Sequence, residues 1–107
     1  FLSLRSEKMD KALAMSSKLV ELHPDNPTYL DTHGWVLYTL EKYEEALVYL
    51  RKAANLQDDG TVIEHYGDVL YKLGKVEEAV EQWKRASLLN DASELINQKI
   101  ELKKLLE

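Results

Sequence analysis

An internal repeat of 33 residues is the feature that most restricts how this chain can fold. Residues 27–59 and 60–92 align without a gap, and 13 of the 33 aligned pairs are identical. The strongest match joins HGWVLYTLEKYEEAL, residues 33–47, to YGDVLYKLGKVEEAV, residues 66–80, where nine of fifteen positions agree. Repetition at this period predicts one packing unit used twice, because each unit covers the apolar face of its neighbour.

Apolar residues recur at three- and four-residue spacing along the chain, which predicts amphipathic helices. The chain of 107 residues holds only two prolines and four glycines, in agreement with a helix-rich structure. The predicted helices span residues 7–22, 27–40, 43–57, 61–73, 76–90 and 93–106.

Several helix starts carry capping signals. Asn26 precedes a proline, which predicts an N-cap side chain with proline at the first helical position. Thr61 with Glu64, and Asp91 with Glu94, have the spacing of capping boxes. The predicted connections are two to four residues long, so neighbouring helices must run antiparallel.

Small residues recur where packed helix backbones would have to approach closely. Together with the large apolar residues between them, they resemble the tetratricopeptide repeat, whose pattern is W-x2-L-G-x2-Y…A-x3-F-x2-A…P. The matching residues are Gly34, Leu37, Ala46, Leu50 and Ala53 in one repeat, and Gly67, Leu70, Ala79, Trp83 and Ala86 in the next. The departures are Leu30 and Ile63 for the family's tryptophan, His33 and Tyr66 for its leucine, and Asp58 and Asp91 for its turn proline.

The resemblance implies an all-α fold in which antiparallel helical hairpins stack as a right-handed superhelix, an α-solenoid. Upstream, Ala12, Ser16, Leu19 and Pro24 resemble the second helix and exit turn of an earlier repeat, whose first helix would survive only as Phe1–Ser6. The expected divisions of this single domain are a partial repeat at 1–26, repeats at 27–59 and 60–92, and a C-terminal capping helix at 93–107.

Arrays of this family are usually protein-interaction scaffolds whose first helices line a concave groove for a peptide or a partner helix. Carried over to this sequence, the predicted groove residues are Thr28, Asp31, Trp35, Tyr38, Thr61, Glu64, Asp68, Tyr71 and Lys72. Trp35 is the expected anchor, because exposed aromatic residues often dominate interfaces. The alternative interpretation of Trp35 is packing against the neighbouring repeat.

Charge favours a basic or amphipathic partner. The chain carries 14 basic and 19 acidic residues, a formal net charge of −5, which disfavours nucleic acid and anionic lipid. Asp31, Glu64 and Asp68 would make the groove acidic, which argues against capture of a C-terminal carboxylate. The alternative is that these charges form a solvated surface.

The chain contains no motif that indicates catalysis or a cofactor. It has no cysteine, no phosphate-binding loop and no zinc motif, and no apolar run is as long as a membrane-spanning helix needs. The carboxylate pairs Glu44-Glu45 and Glu77-Glu78 begin predicted helices, where they complement the helix dipole. We therefore expect a non-enzymatic protein without cofactor or bound metal.

Three histidines are the only nitrogen ligands a metal could use. His33 replaces a core leucine of the family pattern, so a hydrogen-bonded neutral side chain inside the stack is expected. His65 adjoins Glu64 and Asp68 and could support a weak surface site, although no closed coordination shell is predicted. His23 lies at a helix end, where it would be solvated or would cap the dipole.

Two further functions compete with partner binding. The apolar stripe of Met9, Leu13, Ser16 and Val20 would lack a paired helix, which predicts a homodimer through the N-terminal half repeat. The amino-acid sequence of the repeats also resembles bacterial tetratricopeptide proteins of cell-envelope assembly. This resemblance suggests a regulatory or assembly segment of an enzyme or envelope complex. Because the chain begins at Phe1, we expect a piece of a longer protein, and the compartment stays open between cytoplasm and periplasm or envelope.

Overall fold

Six helices form the fold in the computed structural model, which describes residues 2–89 and 91–103 and the side chains from Lys8 onward. The helices are α1 (Leu2–Leu22), α2 (Pro27–Thr39), α3 (Tyr43–Leu56), α4 (Gly60–Lys72), α5 (Val76–Ser87) and α6 (Ile96–Leu102). Each packs against the next along the chain, and α2 also touches α4. The expected stack of antiparallel helical hairpins, an α-solenoid, is confirmed.

Small residues permit the closest helix contacts, as the repeat predicted. A Cβ atom added at Gly34 would lie 2.6 Å from Leu50 Cγ, and one added at Gly67 would lie 2.6 Å from Trp83 Cδ1. The alanines of the repeat pattern are fully buried beside them: Ala46, Ala53, Ala79 and Ala86. Both repeats therefore place a large side chain directly over the glycine of the preceding helix.

The observed caps only partly match the predicted ones. Asn26 accepts a hydrogen bond from the backbone N–H of Tyr29 at 3.1 Å, which confirms the predicted N-cap of α2. The capping box at Thr61 is wrong, because Asp59 caps α4 by accepting from the Val62 N–H at 3.1 Å. The second capping box is also wrong: Asp91 Oδ1 accepts from the Gly60 N–H at 2.8 Å, a bond that joins the two ends of the same repeat.

The two ends of the chain differ from the expected helices. Helix α1 is continuous from Leu2, so residues 2–6 extend it instead of forming a separate first helix, and Phe1 lies outside the described residues. Helix α6 begins at Ile96, three residues later than predicted, because Ser93 donates its N–H and hydroxyl to Glu64. Of the predicted 93–106 helix, residues 104–106 lie outside the described residues.

The N-terminal apolar stripe is partly buried within the chain. Leu13 and Val20 pack against the core, and Ser16 is buried with its Oγ 2.8 Å from His33 Nδ1 of α2. Met9 is half-buried. Part of the stripe therefore already packs within the chain, and the dimer through the N-terminal half repeat stays a prediction.

Candidate protein-binding surface on the first helices

The nine predicted groove residues divide by exposure. Thr28, Thr61 and Lys72 are exposed. Three others are half-buried: Asp31, Trp35 and Tyr71. The remaining three are buried: Tyr38, Glu64 and Asp68. The predicted stripe is therefore a mixture of surface and interior, and its binding role stays a prediction.

Trp35 links the two repeats through stacked rings. Its ring is nearly parallel to that of Tyr38, with centroids 4.5 Å apart, and stacks on His65 of α4 at 4.0 Å. The His65 ring is oriented by Asp31 of α2, whose Oδ1 lies 2.8 Å from His65 Nδ1. Trp35 thus packs against the neighbouring repeat and still keeps part of its surface accessible.

Glu64 and Asp68 do not form the expected acidic groove surface, because a lysine of the last helix covers them. Lys99 Nζ lies 2.6 Å from Glu64 Oε2 and 3.1 Å from Asp68 Oδ1. Lys99 and both carboxylates are almost entirely buried, with side-chain exposures of 6–8%. We name Glu64, Asp68 and Lys99 the buried triad; its charges tie α6 to α4.

Burial and hydrogen bonds together set the pKa of each member of the buried triad. Burial works against the ionised form of Glu64, but hydrogen bonds from Lys99 and Ser93 outweigh it and lower the pKa of that carboxyl. Burial dominates at Asp68 and raises its pKa to about 6, despite Lys99 and the Trp83 indole N–H, which donates to Asp68 Oδ1 at 3.0 Å. The two carboxylates together raise the pKa of Lys99, although burial opposes its charge. Asp68 is therefore the member that gains a proton first on acidification.

Substituting Asp68 with asparagine is expected to stabilise the protein more at about pH 8 than at about pH 5. Folding raises the Asp68 pKa from 3.8 to about 6, so the protonated carboxyl favours the folded state. This contribution to stability is fully present below pH 3.8 and is lost as the pH rises through about 6. Urea unfolding of both proteins at the two pH values measures the difference. The exposed Asp10→Asn is the control, and a difference that does not grow with pH would contradict the assignment.

A pocket of about 350 Å³ lies where α2, α4 and the C-terminal segment meet. Its lining residues are Trp35, Thr61, Glu64, His65, Asp68, Asp91, Ser93, Leu95 and Lys99. The lining therefore combines aromatic and aliphatic side chains with the polar atoms of the buried triad. Such a mixture suits one anchoring side chain of a bound segment.

The structure adds Ser93, Leu95 and Lys99 to the surface that the sequence predicted. All three lie in or just before α6, which the repeat pattern treats only as a cap. The available signal was the spacing of Lys99 with Ile96 and Ile100, which places a lysine on the apolar face of the last helix.

All three histidines contact neighbouring side chains of the fold. His33 is buried, bonded to Ser16 and edge-on to Tyr49 at 4.5 Å, which confirms the hydrogen-bonded core position; burial lowers its pKa. His65 bonds to Asp31, and no group of three metal-binding side chains occurs among the described residues. His23 follows α1, its exposed ring 5.4 Å from Tyr29.

The paired glutamates occupy the predicted helix starts. Glu44-Glu45 lie in the first turn of α3 and Glu77-Glu78 in the first turn of α5, all exposed. Negative charge at these positions stabilises a helix through its dipole. In the part of the chain that the structure describes, no helix is both long and apolar enough to cross a membrane.

Comparison with known proteins supports the repeat assignment. The family model described as "Anaphase-promoting complex, cyclosome, subunit 3" matches residues 6–86. The crystal structure of YrrB, described as a TPR protein with an unusual peptide-binding site, matches with a TM-score of 0.70 and 30% sequence identity. The match covers 83% of this chain and 46% of YrrB, so the chain spans about half the length of that structure. No curated protein sequence matches.

Proposed function

Since the chain belongs to the tetratricopeptide-repeat family, whose members typically form non-catalytic interaction modules, we propose that it binds a segment of a partner protein on the face formed by α2 and α4. The pocket beside Trp35 is the observation that carries this proposal. Trp35 is held by stacking on His65 and Tyr38, so little conformational entropy is lost when a partner covers its remaining surface.

The charge of the pocket supports a basic or amphipathic partner segment. Three carboxylates line it, those of Glu64, Asp68 and Asp91, and Lys99 is the only lysine or arginine of the lining. Lys99 neutralises about one of these charges, which leaves an excess of negative charge near Thr61 and Asp91. A lysine or arginine side chain that enters beside Trp35 would meet both this charge and the aromatic ring.

The comparisons with known proteins are consistent with a peptide or protein partner. YrrB is described as having a peptide-binding site, and the matching family model describes a subunit of a multiprotein complex. The proposal for this chain is a peptide or helix bound along the groove from Thr28 to Lys72.

Peptides that bind the full chain are first selected from a displayed random library. Trp35→Ala is expected to weaken their binding by about 30-fold, since anchor residues contribute about 2 kcal/mol or more. Isothermal titration calorimetry measures the affinity, and circular dichroism checks the fold of each variant. The matched control is Leu88→Ala, an apolar side chain with 85% exposure outside the pocket.

A second variant separates binding from folding. Thr61→Arg places a positive charge at the pocket mouth from an exposed position and leaves the Trp35 stack intact. Basic peptides should lose affinity for it as well. If selected peptides bind both variants as tightly as the parent protein, the groove assignment is wrong.

A further inference from the structure

The pocket beside Trp35 contains a histidine, the side-chain type that ordinarily changes its charge between about pH 5 and 8. His65 lies one helical turn after Thr61 on α4, close to the place where we propose that a basic side chain enters. Its side chain is 20% exposed. The ring is therefore part of the proposed binding surface.

The contacts of His65 determine which ring nitrogen a partner can reach. Nδ1 lies 2.8 Å from Asp31 Oδ1, and an ionised carboxylate can only accept, so Nδ1 carries the proton and donates it. Nε2 of the neutral ring is consequently an acceptor. Nε2 bonds to no described side chain, and none of the described buried side-chain nitrogens lacks a partner, so Nε2 is accessible to solvent. Neutral His65 thus offers an unused lone pair to a donor in the pocket.

Protonation of His65 would reverse this property while the ring keeps its contacts. The Nδ1–H still donates to Asp31, and the Trp35 ring, stacked at 4.0 Å, favours a cation on its face. Nε2 becomes an N–H donor on a positively charged ring. A lysine or arginine side chain beside Nε2 would then lose its acceptor and meet a like charge.

The charges around His65 make the pocket sensitive to this proton. With His65 neutral, the lining carries three carboxylates against one lysine, and protonation adds a second cation. Burial raises the pKa of Asp68 to about 6, so its carboxylate is neutralised over the same pH range. The excess of negative charge in the lining disappears when both groups are protonated. The titratable and charged groups around His65 are Asp31 on α2, Glu64, Asp68 and, two turns along the helix, Lys72 on α4, and Asp91 and Lys99 of the C-terminal segment.

We propose that His65 makes partner binding depend on pH: its neutral ring accepts a hydrogen bond from a lysine or arginine of the bound segment at about pH 8, and its protonation by about pH 5.5 releases that segment. This inference rests on the proposed function, because it concerns the same pocket. It adds the atom that recognises the cation, His65 Nε2, and the condition under which recognition ends. A neutral or acidic segment would lack this dependence, so the pH profile also reports the charge of the partner.

The probe is an acetylated and amidated peptide, selected on the full chain at about pH 8, that contains lysine or arginine but no histidine or carboxylate. Only the protein then changes its charge over the tested range. Isothermal titration calorimetry should show an affinity that falls at least about fivefold between about pH 8 and about pH 5.5. His65→Gln stays neutral at both pH values and should retain less than half of that fall. Its binding at the higher pH should be weaker by roughly threefold, because the acceptor is displaced.

Two further variants serve as controls. His23→Gln removes an exposed histidine outside the pocket and should leave the whole pH dependence in place. Asp68 is buried against Lys99, so Asp68→Asn should keep most of the fall in affinity. Circular dichroism at each pH checks that parent and variants keep the same helix content.

A second readout needs no substitution. The Cε1–H signal of the His65 ring, followed by NMR over the pH range, shows when this ring gains its proton. Because binding and protonation are linked, bound peptide should move the midpoint of the His65 titration to lower pH by about 0.5 pH unit or more. The His23 and His33 signals should titrate alike with and without peptide.

The inference and the proposed function fail in different ways. Equal affinity at both pH values, the same pH dependence in His65→Gln as in the parent protein, or a His65 signal that ignores the peptide would each overturn the inference and leave the pocket as the binding site. Failure of basic peptides to bind at about pH 8, or binding that Trp35→Ala does not weaken, would overturn the proposed function itself.

Discussion

Replacing Lys99 with methionine is expected to lower the free energy of unfolding by about 3–5 kcal/mol, because removing one partner of a buried ion pair leaves the other charge unpaired. Lys99 lies 2.6 Å from Glu64 Oε2 and 3.1 Å from Asp68 Oδ1, so its loss leaves two carboxylates in the interior. Urea unfolding measures the loss, and amide hydrogen exchange should show that α6 is released before the other helices.

Two variants test whether charge causes this loss. Gln98→Met introduces the same side chain at the neighbouring, exposed position of α6 and should change stability by less than about 0.5 kcal/mol. Adding Glu64→Gln and Asp68→Asn to Lys99→Met should restore a large part of the lost stability. If Lys99→Met costs less than about 1 kcal/mol, the buried triad does not hold α6 as the structure indicates.

Trp83→Ala is expected to cost a similar amount, about 3–5 kcal/mol, through the cavity left by a large buried side chain. Trp83 has no exposed surface, covers the glycine at position 67 and donates its indole N–H to Asp68. Its truncation would open the centre of the second repeat and remove a hydrogen bond from the buried triad. Thermal and urea unfolding measure the effect.

A conservative variant separates volume from hydrogen bonding at the same site. Trp83→Phe keeps most of the ring over Gly67 but cannot donate to Asp68, so we expect a loss of about 1–2 kcal/mol. If Trp83→Ala proved as mild as Trp83→Phe, the packing of Trp83 over Gly67 would not be the main contact of this repeat.

The repeat itself was sufficient to predict the architecture. Glycine and alanine at matching positions required close helix contacts, and such contacts form between Gly34 and Leu50 and between Gly67 and Trp83. The helix starts were less predictable, because Asp91 caps the N-terminus of α4 from the end of the same repeat. A contact between residues 31 positions apart leaves no signal in local capping patterns.

The candidate surface was predicted only in part, because its exposure depends on α6. Glu64 and Asp68 occupy groove positions in the repeat pattern, yet Lys99 turns them into interior residues. Nothing in the helical periodicity of α4 distinguishes a carboxylate that faces solvent from one that faces a buried lysine. The stack of Trp35 on His65 likewise joins two repeats and follows from their relative placement.

A two-dimensional NMR titration of the full chain with a basic peptide selected on it tests most directly whether the first helices bind a partner. We expect the indole N–H signal of Trp35 and the backbone signals of Thr61 and His65 to shift as peptide is added, while the signal of the buried Trp83 indole shifts little. Shifts confined to α3 and α5, with Trp35 unchanged, would contradict a binding site on the first helices.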